Sequence, residues 1–128
     1  MSFVPATVDL TGTNQILQGT DWSRDFAVTS GGNPVDLTNY TGTGALVRCQ
    51  FRSTVAATSV VLTPTMSVVS PATDGIIRMT IAASVTTALA NTTQSGVYDV
   101  EIVANNANGN TVERIIEGEW SIDPEVTR

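Results

Sequence analysis

The side chains with the most chemical potential in this 128-residue chain are carboxylates, and they gather near its end. In the stretch VYDVEIVANNANGNTVERIIEGEWSIDPEVTR, Asp99, Glu101, Glu113, Glu117 and Glu119 fall at alternate positions of two runs. Carboxylates act as general acids or bases, as hard ligands for cations, or as the charged skin of a surface. The first use needs a nucleophile to activate or a partner that titrates near neutrality, and the chain contains neither histidine nor lysine. Its bases are the carboxylates and the terminal amine, so no enzymatic activity is expected.

Cys49 is the single thiol, and it stands in the alternating run Ala45, Val47, Cys49, Phe51. That setting predicts a buried structural thiol rather than a reactive one, and one cysteine allows no intrachain disulfide. Without imidazole or paired thiolates, zinc and iron sites are excluded, and no cofactor is expected. Asp21 with Asp25, or the Asn105 to Asn110 loop beside Asp99 and Glu101, offers hard oxygen atoms for calcium. No helix-flanked twelve-residue calcium loop accompanies them, and asparagines cluster in turns for backbone reasons. Trp22, Tyr40, Tyr98 and Trp120 suggest a carbohydrate platform, but two of these rings fall on inward-facing parity, which favours core packing.

The net charge of −6 is carried with only six basic residues, Arg24, Arg48, Arg52, Arg78, Arg114 and Arg128, scattered along the chain. A binder that tracks nucleic-acid phosphates needs a clustered basic face, so nucleic acid is not an expected partner. The start, MSFVPATVDLTG, has neither the charged opening nor the apolar block of a secretion signal, and no run of eighteen apolar residues occurs. Neither export by that route nor a membrane partner is expected, and synthesis and folding in a cytoplasm follow.

Positioning these residues falls to strands. Twenty threonines, with many valines and isoleucines, favour a pleated, half-exposed surface over helix. Tyr98, Val100 and Ile102 alternate with Asp99, Glu101 and Val103, and Val112, Ile116, Trp120 and Ile122 alternate with Glu113, Glu117, Glu119 and Ser121. The period of two predicts an antiparallel hairpin with one apolar and one acidic face. Further strands are expected at Phe3 to Leu10, Gln15 to Leu17, Trp22 to Thr29, Ala45 to Phe51, Val60 to Leu62, Met66 to Val69 and Gly75 to Ala82. The fold class is all-β, an antiparallel β-sandwich of immunoglobulin-like or jelly-roll-like kind. Ser30-Gly31-Gly32-Asn33-Pro34 closes a corner, and Asn105 to Asn110 closes the last hairpin. One short helix is expected at Ala83 to Ala90, capped by Ser84 and packed through Val85, Ala88 and Leu89. Residues 1–14 read as an N-terminal arm or edge strand, and 15–128 as one domain.

Two positions break the alternation. Arg114 falls on the apolar parity of its strand and Ile115 on the acidic one. Either Arg114 is partnered inside or lies past the edge of the core while Ile115 seeds an exposed patch, or a bulge near Gly118 switches the parity. On the first view Asp99, Glu101, Glu113, Ile115, Glu117 and Glu119 form a protein interface, an apolar anchor inside a charged rim. Solvation by a charged face, aided by Arg48 and Arg52 on a neighbouring strand, is the plainer alternative.

The order Gln18-Gly19-Thr20-Asp21-Trp22, Pro34-Val35-Asp36-Leu37-Thr38-Asn39-Tyr40, Ala45 to Arg52, Asp74-Gly75-Ile76-Ile77-Arg78-Met79, Gly96-Val97-Tyr98-Asp99-Val100, Glu117-Gly118 and Pro124-Glu125-Val126-Thr127-Arg128 resembles small virion structural proteins of tailed bacteriophages. It is most similar to tail or baseplate-associated proteins whose β-sandwich is like the N-terminal domain of phage baseplate upper proteins. The resemblance spans about Gln18 to the end and implies a noncatalytic role in the virion, docking on tail, baseplate or fibre proteins in several copies. Baseplate upper proteins continue into trimerisation or receptor-binding parts, whereas this chain ends after one domain, which favours an adaptor or fibre-attachment subunit. Capsid decoration is the structural alternative, and a carbohydrate-binding module is the alternative from another class.

Overall fold

The computed structural model describes residues 5–41, 46–89, 94–106 and 109–127. Their order is β1 (Ala6–Thr7), β2 (Ile16–Leu17), β3 (Trp22–Ala27), β4 (Thr29–Ser30), β5 (Asn33–Pro34), β6 (Val47–Arg52), β7 (Thr65–Val68), β8 (Ile76–Ile81), α1 (Ala83–Thr87), β9 (Gln94–Asn106) and β10 (Gly109–Asp123), with short 3-10 turns between. Among the described residues the fold is therefore all-β with one short helix. Expected bounds at Phe3, Ala45 and Ala90 lie outside the described residues, as do positions 107–108 at the tip of the Asn105 to Asn110 turn.

The long antiparallel β9–β10 hairpin is the spine of the larger sheet, with β6 antiparallel on the free side of β9. The N-terminal stretch runs parallel to β10 along its other side, pairing Ala6 with Ile116, Leu10 with Trp120 and Ile16 with Ile122. This pairing departs from a purely antiparallel arrangement and makes the N-terminal stretch an edge of the sheet. A second, antiparallel sheet has the order β3–β8–β7, and β4 with β5 makes a small hairpin around the Gly31–Gly32 corner. The expected strand at Val60 to Leu62 shrinks to a bridge between Leu62 and Phe51, where the chain leaves one sheet for the other.

Inward side chains of both sheets meet in one apolar core. Phe26, Ile77, Met79 and Ile81 come from the smaller sheet; Phe51, Tyr98, Val100, Ile102, Ile116, Trp120 and Ile122 come from the larger. At its centre Phe51 lies 5.5 Å from Trp120 and 5.3 Å from Tyr98 between ring centroids. The indole N–H of Trp120 donates to the carbonyls of Arg52 and Val97, both at 3.1 Å, so the buried ring leaves no donor unsatisfied. Gly96, opposite Trp120 on β9, makes room: a Cβ there would lie 2.0 Å from the Arg52 carbonyl oxygen.

The helix forms where expected but is held differently. Its first amide, Ala83 N–H, donates to Asp21 Oδ1 at 2.8 Å, so the cap comes from the residue just before β3 and not from Ser84. Val85 and Ala88 are exposed, Leu89 packs against the core as expected, and within the helix the residue that turns inward is Thr86, whose hydroxyl accepts the Gly19 amide and donates to the Ala83 carbonyl. Buried Gln18 completes this corner, donating to the Leu89 carbonyl and accepting the Glu125 amide. A five-residue helix cannot sustain an amphipathic stripe, and Gln18 and Asp21 from the preceding segment, with the helix's own Thr86, hold it in place.

Candidate functional site

The outward face of β6, β9 and β10 is a grid of paired side chains. Cross-strand register sets Arg48 beside Glu101 and Glu101 beside Arg114; in the next row it sets Gln50 beside Asp99 and Asp99 beside Glu117. A third row runs from Arg52 through Val97 to Glu119. Partners in register share a face, so these nine side chains make one surface.

Arg114 is its hub. The guanidinium lies 3.4 Å from Asp99 and 3.3 Å from Glu117, and Arg48 reaches Glu101 at 2.9 Å. Arg52 donates to Gln50 Oε1 and to the Ala57 carbonyl, which holds the loop after β6 against the sheet. Asp99 is nonetheless held above the ordinary carboxylate range, first by burial and then by the charge of Glu101, with Arg114 opposing. Each of these ion pairs is half-exposed and contributes little stability singly; together they fix the positions of the charges.

Two members of the sequence-based interface are not on this face. The register of the hairpin slips between Arg114 and Ile116, leaving Ile115 as the extra residue of a bulge. Ile115 is only 4% exposed and belongs to the core beside Ile116, so it is not a surface anchor. Before the bulge the parity is reversed: Glu113 pairs with buried Ile102 and turns inward, and its charge acts on Tyr40, whose hydroxyl burial and Glu113 together push up. Glu113 Oε2 is buried without a partner among the described residues. Arg114 needs no interior partner, because the bulge places it outside. Asp99, Glu101, Glu117 and Glu119 are brought together as expected.

The sequence reading missed Asp9. Parallel pairing lays it beside β10, where its Oδ1 accepts the Glu119 amide at 3.1 Å. With Thr7 it forms one wall of an open groove of about 640 Å³ that runs over Val97, Asp99, Glu101, Glu117, Gly118 and Glu119 toward Arg52 and Val55. A parallel contact across more than a hundred residues leaves no local pattern, so only the lone acidic residue in Val8-Asp9-Leu10 hinted at it.

The side chains of the Asn105 to Asn110 loop lie outside the described residues, and the other candidates are engaged elsewhere. Cys49 is 3% exposed, and burial followed by the charge of Asp99 pushes its thiol far above the range where a thiolate forms. Asp21 caps the helix, and both oxygens of Asp25 accept from Arg78, which holds the Asp25 carboxyl below its ordinary value. Among the described residues no group of three or more carboxylates or cysteines is arranged to hold a metal. Trp120 and Tyr98 are core residues, and Trp22 and Tyr40 pack against the core, so these rings offer no open platform. In comparisons with known proteins, no family model and no curated protein matches the chain.

Proposed function

We propose that this chain is a noncatalytic structural protein of a tailed-bacteriophage virion, a tail or baseplate adaptor or fibre-attachment subunit built as a mainly antiparallel sandwich of the two sheets, with a parallel N-terminal edge. The order of motifs from Gln18-Gly19-Thr20-Asp21-Trp22 through Gly96-Val97-Tyr98-Asp99-Val100 to Pro124-Glu125-Val126-Thr127-Arg128 supports the virion assignment and the preference for tail over capsid.

The observation that carries an assembly role is the division of labour within the larger sheet. Its inner face is consumed by core packing, while its outer face holds Arg48–Glu101, Arg114–Asp99 and Arg114–Glu117 in a fixed lattice around an open groove. Side chains already held in place lose little freedom when a partner docks, and an ordered charge pattern selects that partner and its register. The acidic residues Asp99, Glu101, Glu117 and Glu119 belong to this docking surface; Glu113 and Ile115 do not.

Mass spectrometry of particles purified from an infected culture tests the assignment. Peptides of this chain are expected in the particle at a fixed ratio to the tail proteins. Their absence from particles, with the chain abundant in the lysate, would overturn it.

A further inference from the structure

The groove on the larger sheet is charge-biased in a way its own chain does not correct. Five carboxylates line it, Asp9, Asp99, Glu101, Glu117 and Glu119, against two guanidinium groups, Arg52 and Arg114. Both arginines are committed: Arg114 to Asp99 and Glu117, and Arg52 to Gln50 and the Ala57 carbonyl. Asp9 and Glu119, at one end, have no ion-pair partner among the described residues. Two apolar side chains, Val97 and the 88% exposed Val55, lie along the same groove. An aliphatic stem ending in a positive charge matches this layout, with its stem on the valines and its head at the carboxylates.

A second copy of this chain is poorly equipped to supply that charge. There is no lysine, and each of the five described arginines is engaged within its own chain. Arg24 lies 5.6 Å over the Phe26 ring, Arg48 pairs with Glu101, Arg78 pairs with Asp25, and Arg52 and Arg114 are held as above. Arg128 lies outside the described residues.

We infer that the groove between Asp9 and Val55 is the docking site for an extended, positively charged segment of a different protein, with one arginine or lysine head seated at Asp9 and Glu119. The inference rests on the assembly role proposed above and names the chemistry of the partner.

A short synthetic peptide of alternating arginine and glycine serves as the probe, with an alternating glutamate and glycine peptide as control. Fluorescence anisotropy at low salt is expected to show binding of the first peptide and none of the second. Asp9→Asn with Glu119→Gln is expected to weaken binding about tenfold, and Asp25→Asn with Asp74→Asn, the same charge change elsewhere, less than about twofold. Asparagine at 9 keeps the oxygen that accepts the Glu119 amide, so the fold is preserved. Equal loss in both variants, or loss in neither, overturns the inference. So does sedimentation showing that the parent forms a dimer that the Asp9/Glu119 variant does not, which would make a second copy the occupant. The same variants are scored for presence in particles. Loss of peptide specificity with the parent still in particles removes the groove alone, whereas absence of the parent from particles removes the virion reading.

Discussion

Gly118 stands opposite Tyr98 across the closing hairpin, and the carbonyl oxygen of Val8 lies 2.0 Å from where a Cβ at position 118 would be. The Tyr98 hydroxyl donates to that same carbonyl, so two residues of the hairpin seat the N-terminal strand, one by being absent as a side chain and one by reaching it. The strand in turn brings Asp9 to the groove.

Gly118→Ala therefore forces the N-terminal strand away from β10 and is expected to cost about 2 kcal/mol or more, a close-contact effect. Tyr98→Phe keeps the ring but leaves the Val8 carbonyl without its donor, at about 1–2 kcal/mol. Urea denaturation of both variants, with amide exchange at Val8 and Leu10, checks this. Unchanged protection of the Leu10 amide in Gly118→Ala would contradict it.

Ile115→Ser is expected to destabilise by about 2–4 kcal/mol, because the bulge turns this side chain into the core and serine leaves both a void and a buried hydroxyl. Glu117→Gln with Glu119→Gln is expected to change stability by less than about 0.5 kcal/mol, as exposed substitutions do. Thermal denaturation separates the two outcomes. A stable Ile115→Ser protein would return Ile115 to the surface.

What the sequence made legible, and what it hid, divides at that bulge. Residues after it, Ile116 to Ile122, follow the expected parity because Ile116, Trp120 and Ile122 fall on one parity and Glu117, Glu119 and Ser121 on the other. Val112 and Glu113 before it change places, since one extra residue in a strand inverts the parity on one side of it. The helix was legible as a break in alternation, but its cap was not, because Asp21 is 62 residues away. Asp9 was hidden for the same reason: its role comes from pairing between the two ends of the chain, which no local period encodes. The ion pairs of Arg114 follow from register and could not be read before it was known.

The pH response of Asp99 has a defined sign. Its folded-state value is raised above the ordinary 3.8, so the ionised carboxylate opposes folding at neutral pH; that opposition is relieved as pH falls through the folded value and is gone below the unfolded one. Asp25 and Asp36 act the other way, their stabilisation being present above the ordinary value and lost as pH falls through their lowered ones. Asp99→Asn is expected to be at least as stable as the parent at pH 7, with a margin that narrows toward pH 4. A constant margin across that range would show that Asp99 does not titrate abnormally.

Cys49 is expected to resist thiol reagents in the folded protein at pH 8 and to react on unfolding, because it packs opposite Val100 and its thiolate is suppressed by burial. Labelling followed by mass spectrometry checks this. Reaction in buffer at the rate seen in denaturant would contradict the core placement.

A cryo-electron density map of the intact particle, with this chain placed in it, tests the central claim most directly. The account predicts the chain in the tail or baseplate, with the outward face of β6, β9 and β10 against another virion protein and a basic side chain of that protein at Asp9 and Glu119. Density for the chain with that face open to solvent, or a complete particle without the chain, would contradict it.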